Sequence, residues 1–202
     1  MKLHVGCGTN KIPGWVNIDS VASCNPDLVH DLAKPLPYGD QVADELKAEG
    51  VLEHFDKYMR YVVVGDWVRV LKVDGLIHLE LPDFKKILFN RYFKFKFDDL
   101  MDTIFGENLW ESKIYIGHFG NHKWGYSPKT LTAFMRQMGF EPVSVVTKGL
   151  NIRYTGRKVR HIPTEEMDKW LIHSHNNKFG AARSDVPLGE IKAMIRTFNR
   201  DI

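Results

Sequence analysis

Leu3-His4-Val5-Gly6-Cys7-Gly8, with Trp15-Val16-Asn17-Ile18-Asp19 close behind, decides how this chain is read. A short apolar run ends in two glycines one residue apart, and a second apolar run ends in an acid. The glycines let the backbone approach a ligand closely, and an acid closing the next strand can accept hydrogen bonds from a ribose diol. A dinucleotide site asks for more: a third glycine three residues on, and an acid about 20 residues later. Lys11 holds the glycine's place, and Asp19 arrives too soon. Hardly any chain is left for a helix between the two strands, and the helix dipole that would hold a pyrophosphate goes with it.

Working outward, Leu28 to His30 reads as a third strand ending at Asp31, and Ala43 to Ala48 as a weaker fourth. Phe55 to Leu71 has helical spacing, with Phe55, Met59, Val62, Val63, Trp67, Val70 and Leu71 on one broad face. Asp74-Gly75 reads as a turn, and Leu76 to Leu81 as a strong strand closed by Pro82. Ser127-Pro128 opens a helix that runs to about Met138 and stops at Gly139. Glu141 to Thr147 and Ile152 to Thr155 are further strands, and a helix is expected over 188–198. The alternation implies an α/β fold: a mostly parallel, Rossmann-like sheet of about seven strands, covered on both faces, with a reduced first helix. Residues 84–126 break the rhythm and read as an insertion after the fifth strand. Residues 1–160 form the core, and 161–202 a C-terminal extension rather than a second domain.

Hydrophobic residues make up 44% of the 202 and charged residues 26%, a balance that excludes wholesale disorder. Cys7 and Cys24 are too few for a disulfide framework and lie in no zinc-ligand spacing, which favours a reducing compartment. No apolar run approaches the ~20 residues that span a bilayer. The chain passes straight from Met1 into a strand-like run, leaving no room for a signal peptide, so a cytoplasmic protein without a membrane partner is expected. The net charge of +3 does not imply nucleic acid, although residues 148–202 carry 11 Lys/Arg against 6 Asp/Glu.

The ordered set of short stretches resembles the class I S-adenosylmethionine (SAM)-dependent methyltransferases, and within them the short, type-11-like bacterial and phage group. The stretches are Leu3–Gly8, Lys11–Asp19, His30-Asp31-Leu32 with Pro35-Leu36-Pro37, Val51-Leu52-Glu53-His54-Phe55, and Val68–Lys72 through Gly75 to Pro82-Asp83. His122-Lys123-Trp124 with Tyr126-Ser127 and Gly139-Phe140 extends the set, so the likeness covers roughly residues 2–147. It implies SAM as cofactor and S-adenosylhomocysteine as product. SAM has no phosphate and tolerates the missing helix. The resemblance places Gly6, Cys7 and Gly8 along the methionine part, Asp19 on the ribose hydroxyls, Asp31 on the adenine amino group with the Leu32 backbone beside it, and Glu49 and Gly50 facing the methyl-bearing centre. His4 departs from the acid usual at its position, Val73-Asp74-Gly75 replaces the usual Pro-Gly-Gly turn, and the early start omits N-terminal helices that cover the substrate in larger relatives. Such relatives suggest a glycan or other small hydroxyl or amine acceptor.

For a hydroxyl or amine acceptor a base near the methyl group helps. His122, Tyr126 and Asp83 are the candidates, in that order; Asp83 follows the fifth strand, where open parallel sheets bind ligands. Glu53 fits helix capping as well as catalysis, and His54 fits a structural role. The His118/His122 spacing would suit a metal on a helix, but Gly117, Gly120 and Gly125 oppose a helix there, and no metal is expected. His173-x-His175 is a weaker metal candidate. The Phe/Lys alternation from Tyr92 to Phe97 could stack a base, but fits a half-buried insertion element better. Two other functions stay open: a non-catalytic SAM-binding module acting in a complex, and a nucleic-acid methyltransferase using Arg153, Arg157, Lys158 and Arg160.

Overall fold

The computed structural model describes residues 1–89, 97–106, 120–163 and 165–170. His118, His173, His175, the alternation from Tyr92 to Lys96 and the helix expected over 188–198 lie outside them. In chain order the elements are β1 (Lys2–Val5), β2 (Val16–Asp19), β3 (Leu28–Val29), β4 (Ala43–Glu49), α1 (Met59–Val70), β5 (Leu71–Pro82), α2 (Phe84–Phe89), α3 (Phe97–Phe105), α4 (Pro128–Gln137), β6 (Phe140–Lys148) and β7 (Asn151–Lys158). They build one seven-stranded sheet in the order β3-β2-β1-β4-β5-β7-β6. The first five strands are parallel to one another, and β7 runs antiparallel between β5 and β6. This is the α/β, mostly parallel, Rossmann-like architecture that the sequence predicts. No α-helix separates β1, β2, β3 and β4, so the first helix is reduced to a tight loop.

Asp74-Gly75 is not a free turn. β5 starts directly at the end of α1, and the three residues Ala43 to Glu45 of β4 oppose the six residues Leu71 to Leu76 of β5. The turn signal is expressed as a bulge, with Asp74 at φ 65°.

Alternation along the strands divides the sheet into two unlike faces. Leu3, Val5, Ile18, Leu46, Ala48, Ile77, Leu79, Leu81, Ile152 and Tyr154 are buried in the apolar core. The opposite face is polar and knitted by ion pairs: Lys2 to Glu45 at 2.8 Å, His78 to Glu45 at 3.5 Å, Lys47 to Glu49 at 3.0 Å and Arg153 to Glu80 at 2.7 Å. These side chains are open to solvent by between 22% and 47%. A sheet covered on both faces was expected, as parallel sheets usually are. Here β4 places Glu45, Lys47 and Glu49 on one side, and charges cannot sit under an apolar helix. The same alternation makes β4 look weak in the sequence.

On the apolar side α1 is buried all round from Tyr61 to Val70, as a helix enclosed between the sheet and other elements must be. Tyr61 meets Phe134 of α4 edge-on at 5.2 Å. The Arg60 guanidinium lies 4.5–5.9 Å from the ring centres of Phe134, Trp124, Tyr61 and Tyr126, a cation held by aromatic faces. At the other end, Arg69 donates to the Asp66 and Asp40 carboxylates and to the Leu36 and Tyr38 carbonyls, while Asp66 accepts the Leu36 amide at 2.8 Å. The segment after β3 is thereby tied to α1. Lys158, fully buried, donates to the Val68 and Leu71 carbonyls at 2.7 Å each, where α1 turns into β5. α4 begins at Ser127 with a reciprocal cap to Thr130 and Pro128 in its first turn, as its sequence predicts.

Candidate functional site

The carboxyl ends of the parallel strands converge on one rim of the sheet. Strand order reverses between β1 and β4, and ligands of open α/β sheets bind at such a switch point. Gly6, Cys7 and Gly8 follow β1 there. Gly6 has φ 65°, and a β-carbon on it would lie 2.2 Å from Val51 Cγ2, so only glycine fits. Gly8 has φ 49°. Cys7 is buried, its amide donates to the Ile18 carbonyl at 3.1 Å, and burial pushes its thiol up to about 12. A neutral thiol of this kind is neither a nucleophile nor a metal ligand at neutral pH.

Asp19 is almost buried at the end of β2. One carboxylate oxygen accepts the Gly8 amide at 2.7 Å and the other accepts the Val21 amide at 2.9 Å. The acid therefore shapes the glycine loop, and each oxygen keeps one lone pair for a further donor. Asp31, just beyond β3, accepts the Ala33 amide at 3.0 Å and is half exposed, with Leu32 buried beside it. Glu49 ends β4 paired to Lys47, and Gly50 follows at φ 62°, its amide on the Glu80 carbonyl at 2.8 Å. His4, which departs from the resembled pattern, is buried in mid-strand with Nδ1 3.3 Å from Asn17 Oδ1, and burial lowers its pKa. It takes no part in the rim.

The three candidate bases separate. Asp83 caps α2: its carboxylate accepts the Lys86 amide at 3.0 Å, and its carbonyl accepts the Ile87 amide at 2.9 Å. It also borders an open groove of about 640 Å³ lined with Lys86, Ser127 and Lys129. Tyr126 is only 1% exposed, and its hydroxyl has no hydrogen-bond partner among the described residues. Burial raises its pKa, so the phenol keeps its proton and serves packing. Asp83 is thus engaged in capping α2, and Tyr126 is enclosed in the core. His122 is different: half-buried, with Nδ1 3.1 Å from the Thr103 carbonyl and its pKa lowered by burial, it is a neutral imidazole at pH 7.

His122 does not stand alone. Its ring centre is 4.9 Å from that of His54, in the short helical turn Leu52–His54 after β4. Glu53, in the same turn, is 1% exposed, and burial pushes its carboxyl up to about 8. His54 is pulled down to about 4, also by burial. The Glu53 carbonyl accepts the Lys123 and Trp124 amides at 2.8 and 3.1 Å, which fastens the end of the insertion to this turn. In the sequence Glu53 fits capping as well as catalysis, and His54 fits a structural role. The sequence's one pointer to their union with His122 is that Glu53-His54 lies three residues beyond Gly50, at the end of β4.

No protein-family model matches the sequence, and no curated protein matches it. Solved structures do resemble it. A SAM-dependent methyltransferase from Methanosarcina mazei superposes with a TM-score of 0.54 at 14% identity, over 78% of this chain and 92% of that one. A SAM-dependent methyltransferase from Clostridium acetobutylicum gives 0.56 at 12% identity, over 79% and 84%. The 1,6-didemethyltoxoflavin-N1-methyltransferase of Burkholderia thailandensis, solved with 1,6-didemethyltoxoflavin and S-adenosylhomocysteine, gives 0.53 at 14% identity, over 79% and 71%. The chain has the fold of the class I SAM-dependent methyltransferases.

Proposed function

We propose that this chain is a SAM-dependent methyltransferase acting on a hydroxyl or amine acceptor, of the short type-11-like kind and cytoplasmic. The observation that carries the proposal is the loop Gly6-Cys7-Gly8, held at the switch point by Asp19 and closed to any side chain by Val51. On this reading the loop backbone lines the methionine part of SAM, Asp19 offers its remaining lone pairs to the ribose, and Asp31 and Leu32 receive the adenine. Glu49 and Gly50 border the methyl group. SAM brings its own leaving group, so the protein's task is to hold the acceptor in line with the methyl carbon. SAM, when bound, would supply the electrophilic methyl group, and His122 or solvent would take the acceptor's proton. The described residues include no helix long and apolar enough to cross a membrane.

The test is calorimetric titration with SAM, S-adenosylhomocysteine and NAD. Binding of both SAM species with none of NAD, and its loss in Asp19→Ala, is the expected result. Absence of binding to either SAM species would move a non-catalytic module to first place. Arg153 is engaged by Glu80 and Lys158 is buried under α1, so the basic group that motivated a nucleic-acid reading is partly spent on the fold.

A further inference from the structure

We propose that Glu53, His54 and His122 form a binding site for one divalent transition-metal ion of the zinc class, beside the methyl-transfer crevice. One carboxylate oxygen and one ring nitrogen from each histidine lie within 4.8 Å of one another. They come from the turn after β4 and from the end of the insertion, which the Glu53 carbonyl joins through the Lys123 and Trp124 amides.

The proton arrangement fits. His54 Nδ1 is 3.1 Å from the Asn121 carbonyl, with the Gly50 carbonyl also acting on the ring, and His122 Nδ1 is 3.1 Å from the Thr103 carbonyl. A carbonyl only accepts, so a ring whose proton sits on Nδ1 satisfies that carbonyl and leaves Nε2 as the nitrogen able to ligate. A carbonyl behind the far nitrogen is the usual support of a metal-ligating histidine. Glu53 supplies the second, independent sign: Oε2 is buried without a hydrogen-bond partner among the described residues. A buried polar atom left without a partner is unfavourable, and a cation at this spot would satisfy it.

Two imidazoles and one carboxylate are the donor set of catalytic zinc sites, in which the fourth position stays open. Tetrahedral ligation places donors roughly 3.3 Å apart, so the widest pair closes in by about 1.5 Å on binding. If the methyltransferase reading holds, the open position suits a hydroxyl-bearing acceptor: a bound ion lowers the hydroxyl's pKa, and the proton leaves to water. The ion site itself does not depend on that reading.

The test uses the full chain, stripped by a chelator and titrated with Co²⁺ while visible absorption is recorded. Expected is one Co²⁺ per chain with ligand-field bands that Zn²⁺ displaces. Glu53→Gln and His122→Ala should each weaken binding roughly 10-fold or more, and His30→Ala on the surface should leave it unchanged. Circular dichroism checks folding, and the near-isosteric Glu53→Gln carries the test if His122→Ala unfolds. Absent bands, or bands that survive in both site variants, overturn the proposal. A parallel SAM titration without metal keeps the questions apart: SAM binding without Co²⁺ binding sinks only the ion site, and the reverse sinks only the cofactor.

Discussion

The Gly8 amide donates to the Asp19 carboxylate at 2.7 Å, so the residue assigned to the ribose also holds the loop assigned to the methionine part. Asp19→Ala removes that bond and the one from Val21. The orphaned buried amide of Gly8 destabilises by about 1–3 kcal/mol, and the half-buried Val21 amide adds less. The variant should therefore lose SAM affinity and shift its urea midpoint together. Wild-type affinity in a destabilised Asp19→Ala would limit the acid to a loop role and remove it from the ribose.

Gly6→Ala should abolish cofactor binding. Its β-carbon meets Val51 Cγ2, and φ 65° adds strain of about 1–2 kcal/mol for any other residue. Val51→Ala relieves the clash but not the dihedral, so the double variant should recover only partly. Full recovery in a SAM titration would show that the dihedral carries no weight.

Lys158 gives the protein an alkaline signature. Burial pulls it down to about 8 in the fold, against 10.5 in the unfolded chain. Between these values the unfolded state holds more protons, so stability rises with pH across the window and is flat below it. Lys158→Met leaves the Val68 and Leu71 carbonyls without their donor and lowers stability, but it also abolishes this rise. Denaturant midpoints of both proteins from pH 7.5 to 10 test it; parallel curves would refute the assignment.

Tyr126→Phe should be silent. Its hydroxyl meets no hydrogen-bond partner among the described residues, and removing an unsatisfied buried group leaves stability unchanged or raises it by up to about 1 kcal/mol. Once an acceptor is known, turnover should hold within a few-fold. A 100-fold fall would return Tyr126 to the chemistry.

His122→Ala should reduce turnover on that acceptor at least 10-fold, whether the imidazole takes a proton or holds an ion, with SAM affinity preserved. Turnover within a few-fold of wild type would exclude both roles.

Much of this was legible in the chain. Strand-final Gly6, Gly8 and Asp19 mark themselves because backbone geometry admits few residues there. Ser127-Pro128 and Gly139 bracket α4 for the same reason. What stayed hidden depends on the third dimension. His54 and His122 meet only because the insertion returns to the turn after β4. Lys158 reads as one more surface cation until α1 covers it, and Asp83 reads as a strand-end acid until α2 starts on it. The open face of the sheet was written in β4 and β5, but a prior for covered parallel sheets outweighed the alternation.

The antiparallel β7 bears on how the protein is made. It lies between β5 and β6 although it is synthesised after both, and β6 has no other strand neighbour in the described sheet. Emerging from the ribosome, β6 must wait for the tight turn at Gly149, while β5 keeps a bare edge. A nascent chain stalled before Lys158 thus carries two unpaired edges at once, with Val143 and Val146 still exposed even in the finished fold. Closure of the sheet is one late event, and any C-terminal deletion reaching Asn151 should yield an aggregating product instead of a shortened domain.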